Sequence, residues 1–489
     1  MRRTHHHRSS LRFLGGSLAA LTLLACGIEL SGGGGVTPGV DGGVLPDGGV
    51  NLEPDGGETA DASDGSIPPS AAITDLQSRG GRSCALRNDG TLKCWGKNSL
   101  GQLGLGDLQH RGDKPGQMGL SLPALTFGAG ARVRSFGLGL EHACAILDDG
   151  RVKCWGSNYA GQLGVGDLLG RGPLPNQMGD ALPAVNLGTG RTAKAVVAGT
   201  GHSCAILDNN TVKCWGQNAV GQLGLGDARD RGGAAADLGD ALLPVDLGTG
   251  RTAKAIAAGE AHTCAILDDD SLKCWGLGNN GRLGRSDGDT ATRGDGAGEM
   301  GDALLAIDLG TGRHAVAVGA GKEHTCAVLD NGTLKCWGRG TSGQLGQGNG
   351  SEIGNQNNEM GDKLPPVDLG AGKTVKRLAT GWEHNCAILD DNLLRCFGDN
   401  AQGQLGPTTS SPWGNQANEM GANLPIVMLG AGRTVMMVTA GEEHTCALLD
   451  DGRVKCWGKN DLGQLGQGDT KSRGKNAGEM GDALLPILL

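Results

Sequence analysis

His142-Ala-Cys-Ala-Ile-Leu-Asp-Asp-Gly-Arg-Val-Lys-Cys-Trp-Gly156, followed by Gly161-Gln-Leu-Gly164, is one of seven copies of a phrase that recurs along this 489-residue chain. The first cysteine of each copy falls at Cys84, Cys144, Cys204, Cys264, Cys326, Cys386 and Cys446, and a second cysteine follows ten residues later every time. The step between copies is 60 residues, with one step of 62. A fixed period of this length means a propeller, a solenoid or an array. It specifies architecture far better than activity.

Seven such units fill residues 71–489 almost completely, so the chain reads as one repeat domain behind a leader, although its length alone would suggest three domains. Glycine is abundant, at 92 residues, but most glycines sit at fixed repeat positions and therefore mark turns. The net charge is −9, of which residues 27–70 carry −8 and residues 1–26 carry +4, leaving −5 on the repeats. That balance is too mild and too acidic for a nucleic-acid-binding surface.

The leader has a basic start (Arg2, Arg3, Arg8, Arg12) and a short apolar stretch from Leu11 to Ala25. A stretch of about 15 residues is too short for a spanning helix, which needs about 20. Leu23-Leu-Ala-Cys26 resembles the lipobox of bacterial lipoproteins, which implies that residues 1–25 are a signal peptide and that Cys26 is acylated. Gly27 rather than Asp after that cysteine points, by the same resemblance, to the outer membrane of a Gram-negative cell. Residues 26–70, rich in Gly, Asp and Pro, cannot bury enough apolar surface to fold and read as a disordered tether. The expectation is an exported, lipid-anchored protein.

Cysteine arithmetic agrees with that address. Fifteen cysteines less Cys26 leave seven pairs, one per repeat, in an oxidising compartment where disulfides persist. Asp-Asp-Gly or Asp-Asn-Asn between the paired cysteines is a hairpin signal. Pairing about its centre sets Cys144 opposite Cys154 and Ile146 opposite Val152. Opposed residues of an antiparallel pair lie close enough for a disulfide, so the expected bridges are Cys84–Cys94, Cys144–Cys154, Cys204–Cys214, Cys264–Cys274, Cys326–Cys336, Cys386–Cys396 and Cys446–Cys456. Each would close a short loop worth roughly 3 kcal/mol in the chain-entropy model. Zinc is the rival reading, but a tetrahedral site needs four converging ligands and each unit offers one His and two Cys. Four strands per unit are expected, exemplified by Lys254–Ala258, His262–Leu267, Leu272–Trp275 and the Leu242–Leu247 type of segment. The C-terminal segment Leu484–Leu489 is expected to pair with the N-terminal strands and close the ring.

The landmarks Gly201-His-Ser-Cys-Ala-Ile206, Val212-Lys-Cys-Trp-Gly216 and Gly221-Gln-Leu-Gly-Leu-Gly-Asp227 resemble the regulator of chromosome condensation repeat, in the same order. The resemblance covers residues 71–489 and implies an all-β, seven-bladed β-propeller of four-stranded antiparallel blades. Repeat one departs from it with Arg82 in place of His, repeat four reads Gly281-Arg-Leu-Gly284, and repeat six has Phe397 in place of Trp and breaks after Gly406.

The repeated His142, His202, His262, His324, His384 and His444 are spread around such a ring and read as hydrogen-bonding links between strands or blades. The repeated tryptophans, Trp95 to Trp457, read as packing. Positions that vary within a fixed frame are the better candidates for binding. Four residues before each first cysteine stand Gly80, Leu140, Thr200, Glu260, Lys322, Trp382 and Glu442. If that loop lies on one face, these seven form a ring of different chemistries around the mouth. Trp382 is the leading contact and Trp413, in the long loop of repeat six, the second. No catalytic set, cofactor motif or metal set emerges. The expectation is a monomeric, non-enzymatic module that binds a protein or glycan at the cell envelope. Its rivals are guanine-nucleotide exchange, which the family's eukaryotic namesake implies but export opposes, and an enzyme acting on polysaccharide. A secreted propeller resembling an inhibitor of β-lactamases illustrates the binding role.

Overall fold

The structure is a computed structural model and describes residues 72–285, 287–406 and 411–489. The expected signal peptide (1–25), Cys26 and the expected tether (26–70) lie outside the described residues. Each repeat folds into one antiparallel sheet in the order inner, middle, outer strand. In the second repeat these are Val133–Leu138, His142–Leu147 and Val152–Gly156. All six middle-strand residues are buried, because the blade is covered on both faces, which is why His-Ala-Cys-Ala-Ile-Leu reads as a run rather than an alternation.

The hairpin turns are left-handed at their third residue, where Gly150 has φ 81° and Asn210 φ 64°. Glycine and asparagine tolerate that region best. Cys144 stands across from Cys154 and Ile146 across from Val152. The Leu147 N–H donates to the Arg151 carbonyl, and counting back from that hydrogen-bonded pair makes the cysteines a non-hydrogen-bonded pair. This is the closer kind, and the Cα–Cα distance is 4.0 Å. All seven expected bridges are present, so the repeat cysteines are not available as zinc thiolates.

Two expectations need correction. The blades have three strands, not four. The segment expected as a fourth strand meets the outer strand through one backbone bond, such as Val245 N–H to the Val212 carbonyl at 2.8 Å. Proline lies within two residues of the bonding residue in six repeats (Pro123, Pro183, Pro244, Pro366, Pro425 and Pro486) and has no N–H to extend the ladder, whereas repeat four, Leu304-Leu-Ala-Ile307, makes the same single bond without one. The C-terminal segment also does not pair with the first strands. Ile487 pairs with Val454 of its own repeat. The seven inner strands instead contact one another in cyclic order, the last (Val435–Ala440) against the first (Ile73–Arg79). Leu76, Ala85 and Trp95 there share a core with Cys446, Leu448 and Ile487. Side-chain packing and loop hydrogen bonds join the blades, and among the described residues no sheet runs from one to the next.

Candidate functional site

One hydrogen-bonded unit fixes the loops at the mouth. His142 Nε2 lies 2.9 Å from Ser203 Oγ of the next blade. Ser203 Oγ donates to the Gln162 carbonyl at 2.9 Å, and Trp215 Nε1 donates to the same oxygen at 3.0 Å. Since the serine proton is committed to that carbonyl, Ser203 accepts from the imidazole, which places the histidine proton on Nε2. His202 repeats the arrangement through Thr263, Gln222 and Trp275. Gln162 belongs to the Gly-Gln-Leu-Gly turn, so the recurring landmarks are parts of one inter-blade lock. Burial drives the histidines far down, His202, His384 and His444 to about 3 and His324 to about 4. They are neutral links, as the sequence led us to expect, and unsuited to act as general bases near neutrality.

The lysine of each Val-Lys-Cys-Trp-Gly, which the sequence reading passed over, is a second tie. Lys213 Nζ donates to the carbonyls of Leu187 at 3.0 Å and Gly239 at 2.8 Å, joining consecutive repeats. Repeat one breaks the lock consistently. Arg82 replaces the histidine, Ala143 replaces the hydroxyl residue it would meet, and Arg79 stands where the other six repeats have glycine. Arg82 donates instead to the Leu140 carbonyl at 2.7 Å and the Gly139 carbonyl at 3.0 Å. The guanidinium of Arg79 is wholly buried and meets no acceptor among the described residues.

Three of the varying residues, Leu140, Lys322 and Trp382, bond through the backbone to the equivalent loop of the next blade. Leu140 N–H donates to the Gly199 carbonyl at 3.3 Å, Lys322 N–H to the Trp382 carbonyl at 3.1 Å, and Trp382 N–H to the Gly441 carbonyl at 3.1 Å. The exposure of the seven differs. Gly80 and Thr200 are buried, and Leu140, 3% exposed, packs over Gly80, so it is structural rather than a free contact. Glu260, Lys322 and Glu442 are partly exposed. Trp382 is 8% exposed.

The charged half of the mouth is wider than the varying position alone. Glutamate precedes the histidine in four repeats (Glu141, Glu323, Glu383, Glu443), a signal visible in the sequence but not used. Arg282, buried, pairs with Glu323 at 3.2 Å and Glu260 at 3.6 Å. Arg339 pairs with Glu323 at 2.7 Å and Glu383 at 3.4 Å. Lys322 pairs with Glu383 at 3.2 Å while its ammonium lies 4.6 Å from the centre of the Trp382 ring. Lys459 pairs with Glu443 at 2.5 Å. A cavity of about 240 Å³ opens here, lined by Lys322, Trp382, Glu383, Asp399, Glu442 and Glu443. Burial, seconded by the charges of Glu383 and Glu443, pushes Asp399 above the usual carboxylate range.

Trp413 is elsewhere. It stands where five other repeats have arginine, pairs its backbone with Gly398 at the end of the outer strand, and packs half-buried against the cores on both sides of blade six. The structure gives it to packing and leaves Trp382 without it at the mouth. Among the described residues no group of three or more His, Cys, Asp or Glu could hold a metal ion.

The repeat described as regulator of chromosome condensation (RCC1) matches at residues 80–102, 133–162, 193–222, 253–282, 315–344, 375–404 and 438–464, and in a longer form at 149–206 and 210–266. The chain is similar to the ultraviolet-B receptor UVR8 of Arabidopsis thaliana, with 30% identity over 423 residues that cover 84% of this chain and 82% of the receptor. It is also similar to the E3 ubiquitin-protein ligase HERC2 of Homo sapiens, with 28% identity over 385 residues, 77% of this chain but 7% of the ligase. Among solved structures it resembles Prp20p from Saccharomyces cerevisiae, with a TM-score of 0.58 at 19% identity over 86% of this chain and 87% of that one. Human WBSCR16 gives a TM-score of 0.57 at 18% identity over 77% of this chain and 87% of that one. Seven matched repeats, folded as seven consecutive sheets in cyclic contact, place this chain in the RCC1 repeat family.

Proposed function

We propose that this protein is a non-enzymatic binding platform, anchored to the outer membrane of its cell through Cys26, that holds a protein ligand at the mouth of blades five to seven. The observation that carries the reading is the contrast within the mouth. The same inter-blade lock fixes the loops, yet the positions it presents differ: Gly80, Leu140 and Thr200 are buried on one side, while Lys322, Glu442 and the edge of Trp382 line a cavity on the other. A rigid frame displaying non-repeating chemistry is what recognition needs and packing does not. A protein is a better ligand than a glycan, because Trp382 offers little exposed ring for a sugar to stack on. The Prp20p structure is titled for binding to Gsp1p and histones, and a second structure of that protein, yeast RCC1 (Prp20), has Kap60 bound. Protein partners on related folds support the same class here.

The test is affinity capture from envelope extract with the full chain, its disulfides intact. Trp382→Ala and Glu442→Arg should each lose the partner that wild type retains, while Tyr159→Ala on the other half of the mouth keeps it. Equal capture by all four proteins, with unchanged melting temperatures, would refute the mouth as the binding face.

A further inference from the structure

We infer that the acidic stretch of this chain at residues 53–64 docks on an arc of exposed cations at the end of the propeller opposite the mouth. The inference is independent of the reading of the mouth. The mouth loops follow the last residues of the inner strands, as Leu140 follows Val133–Leu138, so the first residues of those strands lie at the other end. Four of the seven second residues are cations, Arg134, Lys194, Lys254 and Lys376, all exposed, and none is an acid. Among the described residues only Lys254 of the four meets a carboxylate, Asp270 at 2.7 Å. Arg134 donates to the Ala193 carbonyl at 2.6 Å, Lys194 to Asn210 Oδ1 at 2.8 Å and Lys376 to Asn392 Oδ1 at 2.9 Å, all neutral acceptors. The aspartates of the surrounding hairpin turns pair with arginines of the adjoining loops instead, as Asp208 does with Arg191 at 3.1 Å and Asp330 with Arg313 at 2.9 Å. Among the third residues of the inner strands the one carboxylate, Asp75, is matched by the one cation, Arg377. The arc therefore holds positive charge that the described residues do not balance.

Two further observations name the occupant. Residues 53–64 carry five carboxylates, Glu53, Asp55, Glu58, Asp61 and Asp64, and residues 27–70 contain no lysine, arginine or histidine. Such a stretch cannot balance its charge within itself. The chain also enters the propeller at the matching end. The Asn88 N–H of the first hairpin turn donates to the Ala72 carbonyl at 2.9 Å, beside the start of the strand Ile73–Arg79. The eight steps from Asp64 to Ala72 reach up to about 27 Å when extended. The inner strands of blades one, two and three contact one another in turn, so Arg134 and Lys194 fall within that reach. Attachment makes the contact intramolecular, at a roughly millimolar effective concentration, and several individually weak exposed pairs then suffice. Docking shortens the link between Cys26 and the propeller and withholds the cations from other polyanions. Salt releases it.

The test uses the full chain carrying Cys26→Ser, which keeps the acidic stretch and removes the acylation that the lipobox implies. A carbodiimide joins lysine amines to carboxylates in contact, and mass spectrometry reads the linked peptides, with Lys254–Asp270 as the internal control. At about 0.02 M salt Lys194, Lys254 and Lys376 should link to residues 53–64, and the yield should fall at least about fivefold at about 0.5 M salt, where the Debye length is about 4 Å. Arg134→Gln with Lys376→Gln leaves Lys194 and Lys254 free to react, yet should lower their links to residues 53–64 at least about threefold at an unchanged melting temperature. Control links without any link to residues 53–64 would overturn the inference, as would links that ignore salt or the double variant. Links found only between isotopically labelled and unlabelled chains would overturn it too, by assigning the contact to a second copy. So would salt-sensitive flotation on phosphatidylglycerol vesicles that is equal for this chain and for one with its five carboxylates changed to amides, since the basic end would then be open to a lipid surface.

Discussion

Mild acid should unfold this propeller, and the histidine lock gives the size of the effect. His202, His384 and His444 titrate at about 3 in the folded protein, and His324 at about 4, against an ordinary value of 6.5. The cause is burial, since the neutral ring donates from Nε2 and has no room for hydration. A folded value below the unfolded one means that the unfolded chain binds more protons between about pH 3 and 6.5. Stability is therefore present above pH 6.5 and is lost as pH falls through that window. For one such histidine the loss from pH 7 to pH 5 is on the order of 2 kcal/mol. Four would lose up to about 8 kcal/mol, comparable to the whole stability of many domains. Asp75, raised by burial to about 6, works the other way, but one partly exposed carboxylate returns at most about 1 kcal/mol over the same range, so the histidines win. Urea denaturation at pH 7, 6 and 5, with the disulfides intact, should show a falling midpoint at constant slope. His202→Gln should remove about one proton from that dependence, or 1.4 kcal/mol per pH unit. Midpoints that stay equal from pH 7 to pH 5, or histidine resonances titrating near 6.5 in the folded protein, would refute the argument.

Removing one staple with Cys204→Ala and Cys214→Ala should cost about 2–4 kcal/mol and lower the unfolding midpoint while near-ultraviolet dichroism still reports a native ring, because blades two and four continue to cover that hairpin. Restoring the lock in repeat one with Arg79→Gly, Arg82→His and Ala143→Ser should raise stability by about 1–3 kcal/mol, by removing a buried guanidinium that has no acceptor among the described residues; a loss measured by urea titration would refute the view that Arg79 is a cost to the fold. Cys26→Ser should move the protein from the membrane fraction to the soluble one, whereas a mutant that still sediments with outer membrane would end the lipid-anchor reading.

The repeat, the hairpin register and the disulfide pairing were all legible, because each depends on local spacing. Cys144 and Cys154 straddle a short turn, and no other part of the chain has a say in their meeting. The fourth strand was misjudged because Leu-Leu-Pro-Val and Leu-Leu-Ala-Ile have strand composition, yet each segment meets the outer strand through a single backbone bond; proline withholds a nearby N–H in six repeats, and repeat four stops short without one. The partner of each histidine was less visible, since His142 and Ser203 are 61 residues apart. Even so, the sequence held the clue: the repeat that lacks the histidine, at Arg82, is followed by the one with Ala143, the single repeat of the seven with no polar side chain at that position. At the mouth the sequence could place Trp382 and Lys322 at equivalent positions but could not show that Lys322 reaches across to the Trp382 ring. Nor could it show that Trp413, in a long loop, packs against the cores on both sides of its blade. Radial position and depth come from packing, and a periodic sequence carries little of either.

Hydrogen–deuterium exchange of the full chain, with and without its captured partner, tests the central claim most directly. Protection on binding should be confined to the mouth loops of blades five to seven, residues 320–323, 381–383, 399–402 and 441–443, with the loops around Thr200 and Tyr159 unchanged. Protection confined to the outer loops, such as the 163–178 and 223–238 stretches, would contradict it and move the working surface to the rim of the ring.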